Sequence, residues 1–222
     1  MQKQGLFVSF EGISGVGKSF LCQQLRTVCH DLPIRFISEI IDRHGDNIDT
    51  RIIALVRESG DRFFQNPYPL TTTFLLFALA MHDTEAKIGP ALADGQILIK
   101  DRYIDTLAVY QAILLCPNSF EQQVVLANEL YQIGTRWCPA PDITFLVEDD
   151  FDTAIQRAQQ RNGDCYREDE LAILSNAARL YDVYAQHHTS RIVRIKRQET
   201  TSEHIVQFLH RHLVLSTDRE VI

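Results

Sequence analysis

The chain has no surplus of positive charge: 22 Lys and Arg stand against 29 Asp and Glu, a formal charge of -7. It therefore carries no basic field for duplex nucleic acid or for an anionic membrane surface. An anionic small molecule would have to be held by a local cluster of arginines. A long apolar run is also missing. Residues 1–5 lead into a short apolar stretch that Glu11 stops, too short for a signal peptide or a membrane span, so a cytoplasmic location is expected. The five cysteines are odd in number, with no Cys-x-x-Cys and no Cys/His run at zinc spacing, which points to reduced thiols. No internal repeat and no low-complexity linker interrupts the chain, and residues 1–222 read as one domain. What remains is an ordinary globular composition, 45% hydrophobic and 23% charged, long enough to bury a full core.

Short apolar runs bounded by breakers predict buried strands over 6–10, 34–38, 96–100, 143–147 and 191–195. Longer periodic stretches predict helices over 18–30, 49–59, 70–93, 104–115, 120–135, 150–161, 168–188 and 202–213. Strands alternating with helices imply an α/β fold, a five-stranded parallel sheet covered by helices on both faces. Such sheets bind ligands beyond the carboxyl ends of their strands, so the residues that matter should follow a strand directly.

Two segments do. The first, Gly12-Ile13-Ser14-Gly15-Val16-Gly17-Lys18-Ser19, matches Gly-x4-Gly-Lys-Ser in full, between a predicted strand and a predicted helix. Its glycines permit positive φ, so successive N–H groups can converge on phosphate oxygens at the positive end of the helix. Lys18, expected to face solvent, would bridge the β- and γ-phosphates of ATP, and the Ser19 hydroxyl would ligate Mg2+. The second segment is Lys100-Asp101-Arg102-Tyr103-Ile104-Asp105-Thr106, running on to Tyr110-Gln111. Asp101 there can hold Mg2+, and the planar fork of Arg102 can grip a phosphate.

Taken together these segments resemble the thymidylate kinase family. Phe10-Glu11-Gly12 into the P-loop is similar to that family's opening, and Asp101-Arg102-Tyr103 with Asp105-Thr106 and Tyr110-Gln111 resembles its third-strand motif. Leu75-Leu76-Phe77 before Gly89-Pro90-Ala91-Leu92-Ala93 resembles the helix of its base pocket, and Pro141-Asp142-Ile143-Thr144-Phe145-Leu146 its fourth strand. The resemblance implies a P-loop nucleoside-monophosphate-kinase fold with a mobile lid near 157–170, and Mg-ATP-dependent phosphorylation of a deoxynucleoside monophosphate, dTMP to dTDP. It also implies roles. Arg102 would hold the acceptor phosphate, Tyr103 would lie against the deoxyribose, Phe77 would stack on the base, and Asp105 and Gln111 would complete the acceptor site. Arg161 and Arg167 would close over the transferring phosphoryl group, with Arg157 beside them. Human-type members carry a catalytic arginine in the P-loop where this chain has Gly15, so the lid arginines should supply that charge. Family members are commonly homodimers, and the helix over 70–93 could supply the interface or equally be buried inside the monomer.

The chain departs from the family's pattern at three places. Ser14 replaces a P-loop aspartate, which shifts the metal's dependence toward Asp101 and Glu11. Met81 stands four residues after Phe77, where the family has an arginine that donates to the thymine carbonyl; His82 is the adjacent donor. Glu39-Ile40-Ile41-Asp42-Arg43 replaces Arg-Glu-Pro-Gly-Gly, with Arg43 as a substitute phosphate ligand. These departures leave two alternatives open: a kinase for another pyrimidine nucleotide or a deoxynucleoside, with Glu39 as base, or a nucleotide-binding module with little turnover.

Overall fold

The computed structural model describes residues 5–29, 33–39, 45, 47–57 and 62–218, with side chains to residue 211. Five strands, β1 (Leu6–Glu11), β2 (Ile34–Ile37), β3 (Ile97–Asp101), β4 (Ile143–Glu148) and β5 (Ile192–Lys196), form one sheet in the order β2-β3-β1-β4-β5. Every pairing is parallel. Each strand lies within one residue of the bounds read from its apolar run.

Alternation along β1 sorts the two faces. Phe7, Ser9 and Glu11 point one way: Phe7 meets the Tyr103 ring edge-on at 5.0 Å, Ser9 shares a hydroxyl hydrogen bond with Thr144, and Glu11 accepts from Thr106. Phe10 points the other way, onto Phe145, which in turn meets Phe208. The first face is covered by α3 (Pro69–Asp83), α5 (Ile104–Leu115), α6 (Phe120–Gly134) and α8 (Glu168–His187), which pack on one another. The second is covered by α1 (Lys18–Val28) and α9 (Ser202–Asp218). Helix α5 is buried from Ile104 to Ile113 except at Thr106, which lines the cleft, as suits a helix sandwiched between sheet and helices.

The helix expected over 70–93 is three pieces. After α3 comes a π-helical turn, Thr84–Ile88, in which Gly89 N–H reaches back to Thr84 O, and then α4 (Gly89–Ala93). Pro90 accounts for the break: it lacks the N–H that an α-helix would need there, and its ring would strike the carbonyl four residues back. The remaining helices are α2 (Ile48–Val56) and α7 (Phe151–Asn162). Helix α7 is capped by Asp150, whose carboxylate accepts from Thr153 N–H at 2.9 Å, and it stops at Gly163 in the left-handed conformation, φ 70°. That stop puts Arg161 in the last turn, at the start of the 163–167 connection to α8.

Candidate active site

The carboxyl ends of β1 and β3 lie side by side, Phe10 paired with Asp101, so the two segments singled out in the sequence meet. Ser19 Oγ donates to Asp101 Oδ2 at 2.7 Å. The other oxygen, Asp101 Oδ1, is buried without a hydrogen-bond partner among the described residues. An orphaned carboxylate oxygen beside a hydroxyl is a hard-oxygen pair that suits Mg2+. The donor set fits that ion.

Lys18 is buried, which overturns the expectation of a solvent-facing lysine: Nζ donates to Gly12 O at 3.0 Å and Ile13 O at 2.8 Å. Burial, then the Arg102 guanidinium, pull its pKa down to about 8. The loop around it needs glycine for two reasons. Gly15 has φ +85°, and a Cβ there would sit 1.8 Å from Ala154 O of α7. No side chain enters at that position without displacing α7, so an arginine at residue 15 is sterically closed to this chain.

Arg102 itself has left-handed backbone, φ 57°, with its N–H donating to Phe10 O. Its Nε pairs with Glu39 at 2.9 Å, while NH2 reaches Ser14 Oγ and NH1 reaches Thr106 Oγ1 at 3.5 and 3.4 Å. Burial is the largest single influence and opposes its charge, but Glu39, Tyr110, Tyr181 and Asp101 together outweigh it and hold the guanidinium above the usual arginine range. The serine that replaces the family's P-loop acid is thus in contact with Arg102. Glu11 does not face the cleft as a metal ligand. It accepts from Tyr103 N–H at 2.9 Å and from Thr106 Oγ1, tying β1 to the start of α5. Burial, then Asp105, raise its carboxyl to about 8.

These groups open onto a cleft of about 690 Å³. Its phosphate end carries Ser14, Ser19, Glu39 and Arg102; Arg57, Arg62 and Arg161 also line the cleft. Its other lining is aromatic and apolar: Phe63, Phe64, Tyr103, Tyr110 and Tyr166, with Leu76, Ala80, Leu107 and Gln111. Tyr110 Oη is buried there with no hydrogen-bond partner among the described residues, and the Arg102 guanidinium lies 5.6 Å from its ring centre.

Several residues expected at the acceptor site are elsewhere. Asp105 is fully buried; it accepts from Tyr184 Oη at 2.6 Å and from Arg191 NH1 at 3.0 Å, with Thr144 also in reach. Its charge is met by Arg191, so it holds α5 to the start of β5 and does not line the cleft. Phe77 is core: its ring packs against Gly134 and the Ile104 side chain. Met81 lies 36% exposed on the outer side of α3, and neither it nor His82 lines the cleft. The face of α3 turned to the cleft is Leu76, Ala80 and Asp83, not Phe77 and Met81. Among the lid arginines, Arg161 lines the cleft, Arg157 pairs with Asp149, and Arg167 is engaged with Asp169, Glu170 and Gln65. Arg43 lies outside the described residues. Arg57, Arg62, Phe63, Phe64 and Tyr166 were not singled out by sequence, since they sit in no motif; a cluster of arginines and aromatics in 57–64 is the one signal they leave.

The chain is similar to known proteins over most of its length. The family model described as thymidylate kinase matches residues 10–207. A thymidylate kinase of Rickettsia bellii (strain RML369-C) is 28% identical over 220 residues, covering 96% of this chain and 98% of its own. Those of Ruegeria pomeroyi and Rickettsia typhi are 35% and 34% identical, over 73% and 72% of this chain and 72% of their own lengths.

Proposed function

We propose, on the premise that this chain belongs to the thymidylate kinase family, that it transfers the γ-phosphoryl group of ATP to the 5′-phosphate of dTMP, giving ADP and dTDP. The observation that carries this reading is one cleft lined by Ser14 and Ser19 of the P-loop, Arg102, Arg161, Tyr110 and further aromatic side chains, with Asp101 hydrogen-bonded to Ser19. A 5′-phosphate oxygen of the acceptor attacks the γ-phosphorus, and the bond to the β–γ bridging oxygen breaks as ADP leaves. An acceptor phosphate is already anionic, so no residue has to remove a proton. This suits a cleft where Glu39, the carboxylate nearest the acceptor arginine, is committed to Arg102.

Lys18 and the main-chain amides of 12–19 hold the β- and γ-phosphates, Arg102 and Tyr110 the acceptor phosphate, and Arg161 the charge that spreads over the transferring group. Mg2+, when bound, would be held by the Ser19 hydroxyl and the Asp101 carboxylate and would neutralise phosphate oxygens. The chain acts as one domain whose 157–170 segment serves as lid. It works in the cytoplasm, and no helix among the described residues is long and apolar enough to cross a membrane. The exposed apolar side chains Leu70, Phe74 and Met81 on α3, with Leu55 on α2, form the face of a homodimer.

A coupled ADP-release assay across deoxynucleoside monophosphates, with thymidine as a further arm, tests the reading. ADP formation should depend on dTMP and should fall at least roughly 10³-fold in Lys18→Ala. No stimulation by any monophosphate over background hydrolysis overturns it, and stimulation by thymidine alone replaces it with transfer to a 5′-hydroxyl.

A further inference from the structure

Arg161 stands in the last turn of α7, where its Nε donates to the neighbouring Asn162 Oδ1 at 3.3 Å, a bond within its own turn. The helix then stops at Gly163, and the connection that follows is fastened from a distant part of the chain, residues 62–65. Arg62 NH2 donates to Asp164 Oδ2 at 2.6 Å, and NH1 reaches the Cys165 carbonyl at 3.5 Å. The same NH1 lies 3.8 Å from the buried carboxylate of Glu170, and the guanidinium lies over the Tyr166 ring at 4.9 Å. Phe63 packs 6.1 Å from that ring, and Arg167 NH2 donates to Gln65 Oε1 at 3.2 Å. The 62–65 segment is itself anchored to α3 through Asn66, which donates to Thr72 Oγ1 at 2.7 Å and accepts from Tyr68 N–H at 2.9 Å.

Resting on the transfer reading above and on the part it gives Arg161, we propose that Arg62 is a positioning residue for the reaction. It fastens the 163–167 connection to the body of the molecule and so sets the last turn of α7, and with it the Arg161 guanidinium, over the cleft. An exposed pair such as Arg62–Asp164 holds little on its own. Glu170 and Tyr166 make the difference: a guanidinium that meets a carboxylate away from water and an aromatic face has partners that lose more when it leaves. The planar fork of arginine serves all of these contacts at once, which an ammonium cannot. A small displacement of a charge that stabilises a transition state is costly in rate, so the effect of this fastening is felt in kcat. Arg62 also lies on the cleft wall, and direct contact with a substrate is the reading the test must separate.

The test is a double-variant cycle on Arg62→Ala and Arg161→Ala, with Arg62→Lys beside it. Arg62→Ala should lower kcat roughly tenfold, with KM for dTMP and for ATP each within about twofold. In the Arg161→Ala background the same change should cost less than about twofold, because the group it positions is gone. Arg62→Lys, which keeps the charge for Asp164 and Glu170 but not the flat contact with Tyr166, should recover about half of the lost kcat. Hydrogen exchange read by mass spectrometry should show the amides of 163–167 exchanging roughly tenfold faster in Arg62→Ala, with β1 and β3 unchanged. An unchanged kcat, a raised KM for dTMP, an undiminished loss in the Arg161→Ala background, or unchanged exchange over 163–167 overturns the proposal. Faster exchange across the whole sheet makes Arg62 a residue that holds the fold, and overturns it as well. If the unaltered chain transfers nothing to dTMP, the transfer reading fails before any variant is made, and this inference falls with it.

Discussion

The two ends of the cleft are built by opposite means. At the phosphate end the contacts come from one contiguous loop and from the end of one strand: the 12–19 loop after β1, and Asp101 and Arg102 at the end of β3. At the base end they come from side chains scattered over four stretches, 62–64, α3, α5 and the 163–167 connection. A phosphate is the same in every nucleotide and can be met by a fixed loop. A base differs from one nucleotide to the next, and its wall is assembled from parts that can each be exchanged.

The same contrast is repeated inside one motif. Asp101 and Asp105 are four residues apart, yet one keeps an unpartnered oxygen at the cleft and the other is fully engaged by Arg191, Tyr184 and Thr144. One carboxylate is bonded through a single oxygen, to Ser19. The other holds helix to sheet.

The largest effect that would test this division is at the lid. Arg161→Ala should lower kcat roughly 10³-fold, while Arg167→Ala, whose guanidinium is already engaged by Asp169 and Glu170, should lower it no more than about tenfold; steady-state kinetics decides, and equal losses would erase the distinction. Next, Asp105→Asn should destabilise the fold by about 3 kcal/mol, since it leaves the Arg191 charge uncompensated, with KM for dTMP unmoved. Denaturant titration and kinetics on the folded fraction read the two separately, and a raised KM without loss of stability would return Asp105 to the acceptor site.

A smaller effect concerns pH. Glu11 has a folded pKa raised from 4.5 to about 8, so the folded state binds a proton more tightly than the unfolded chain. Its contribution is therefore full at acid pH and is lost as pH rises between those two values. Glu11→Gln, which stays neutral, should show a flatter decline in denaturant midpoint between pH 5 and 8. Unaltered pH dependence would mean that Glu11 is ionised in the fold. Smallest of all, Met81→Arg should change KM for dTMP by less than about twofold, because Met81 lies on the outer side of α3. A marked improvement would show that α3 can turn residue 81 into the pocket.

Much of the phosphate end could be read from the chain alone, because its residues are contiguous and each follows a predicted strand; the loop at 12–19 and the Asp101–Arg102 pair needed no knowledge of helix packing. The base end was not readable in the same way. Helix α3 has apolar residues at every position from 74 to 81, so periodicity leaves open which side faces the sheet, and the Pro90 break with its π-helical turn gives no rotational setting that a motif would reveal. Phe77 and Leu76 compete for one direction, and Gly134, far along the chain, decides by leaving room for the phenylalanine ring. Asp105 was misassigned for a similar reason: its ion partner, Arg191, is 86 residues away. Burial of Lys18 also depends on the loop's own carbonyls, which a motif places in order but not in space.

The contact between Gly15 and the Ala154 carbonyl has a practical corollary. Anyone wishing to convert this kinase to the variant with its cationic finger on the nucleotide loop could not do so by a single exchange at position 15. The first turn of the neighbouring helix would have to be rebuilt as well. The two layouts are separated by a rearrangement of backbone.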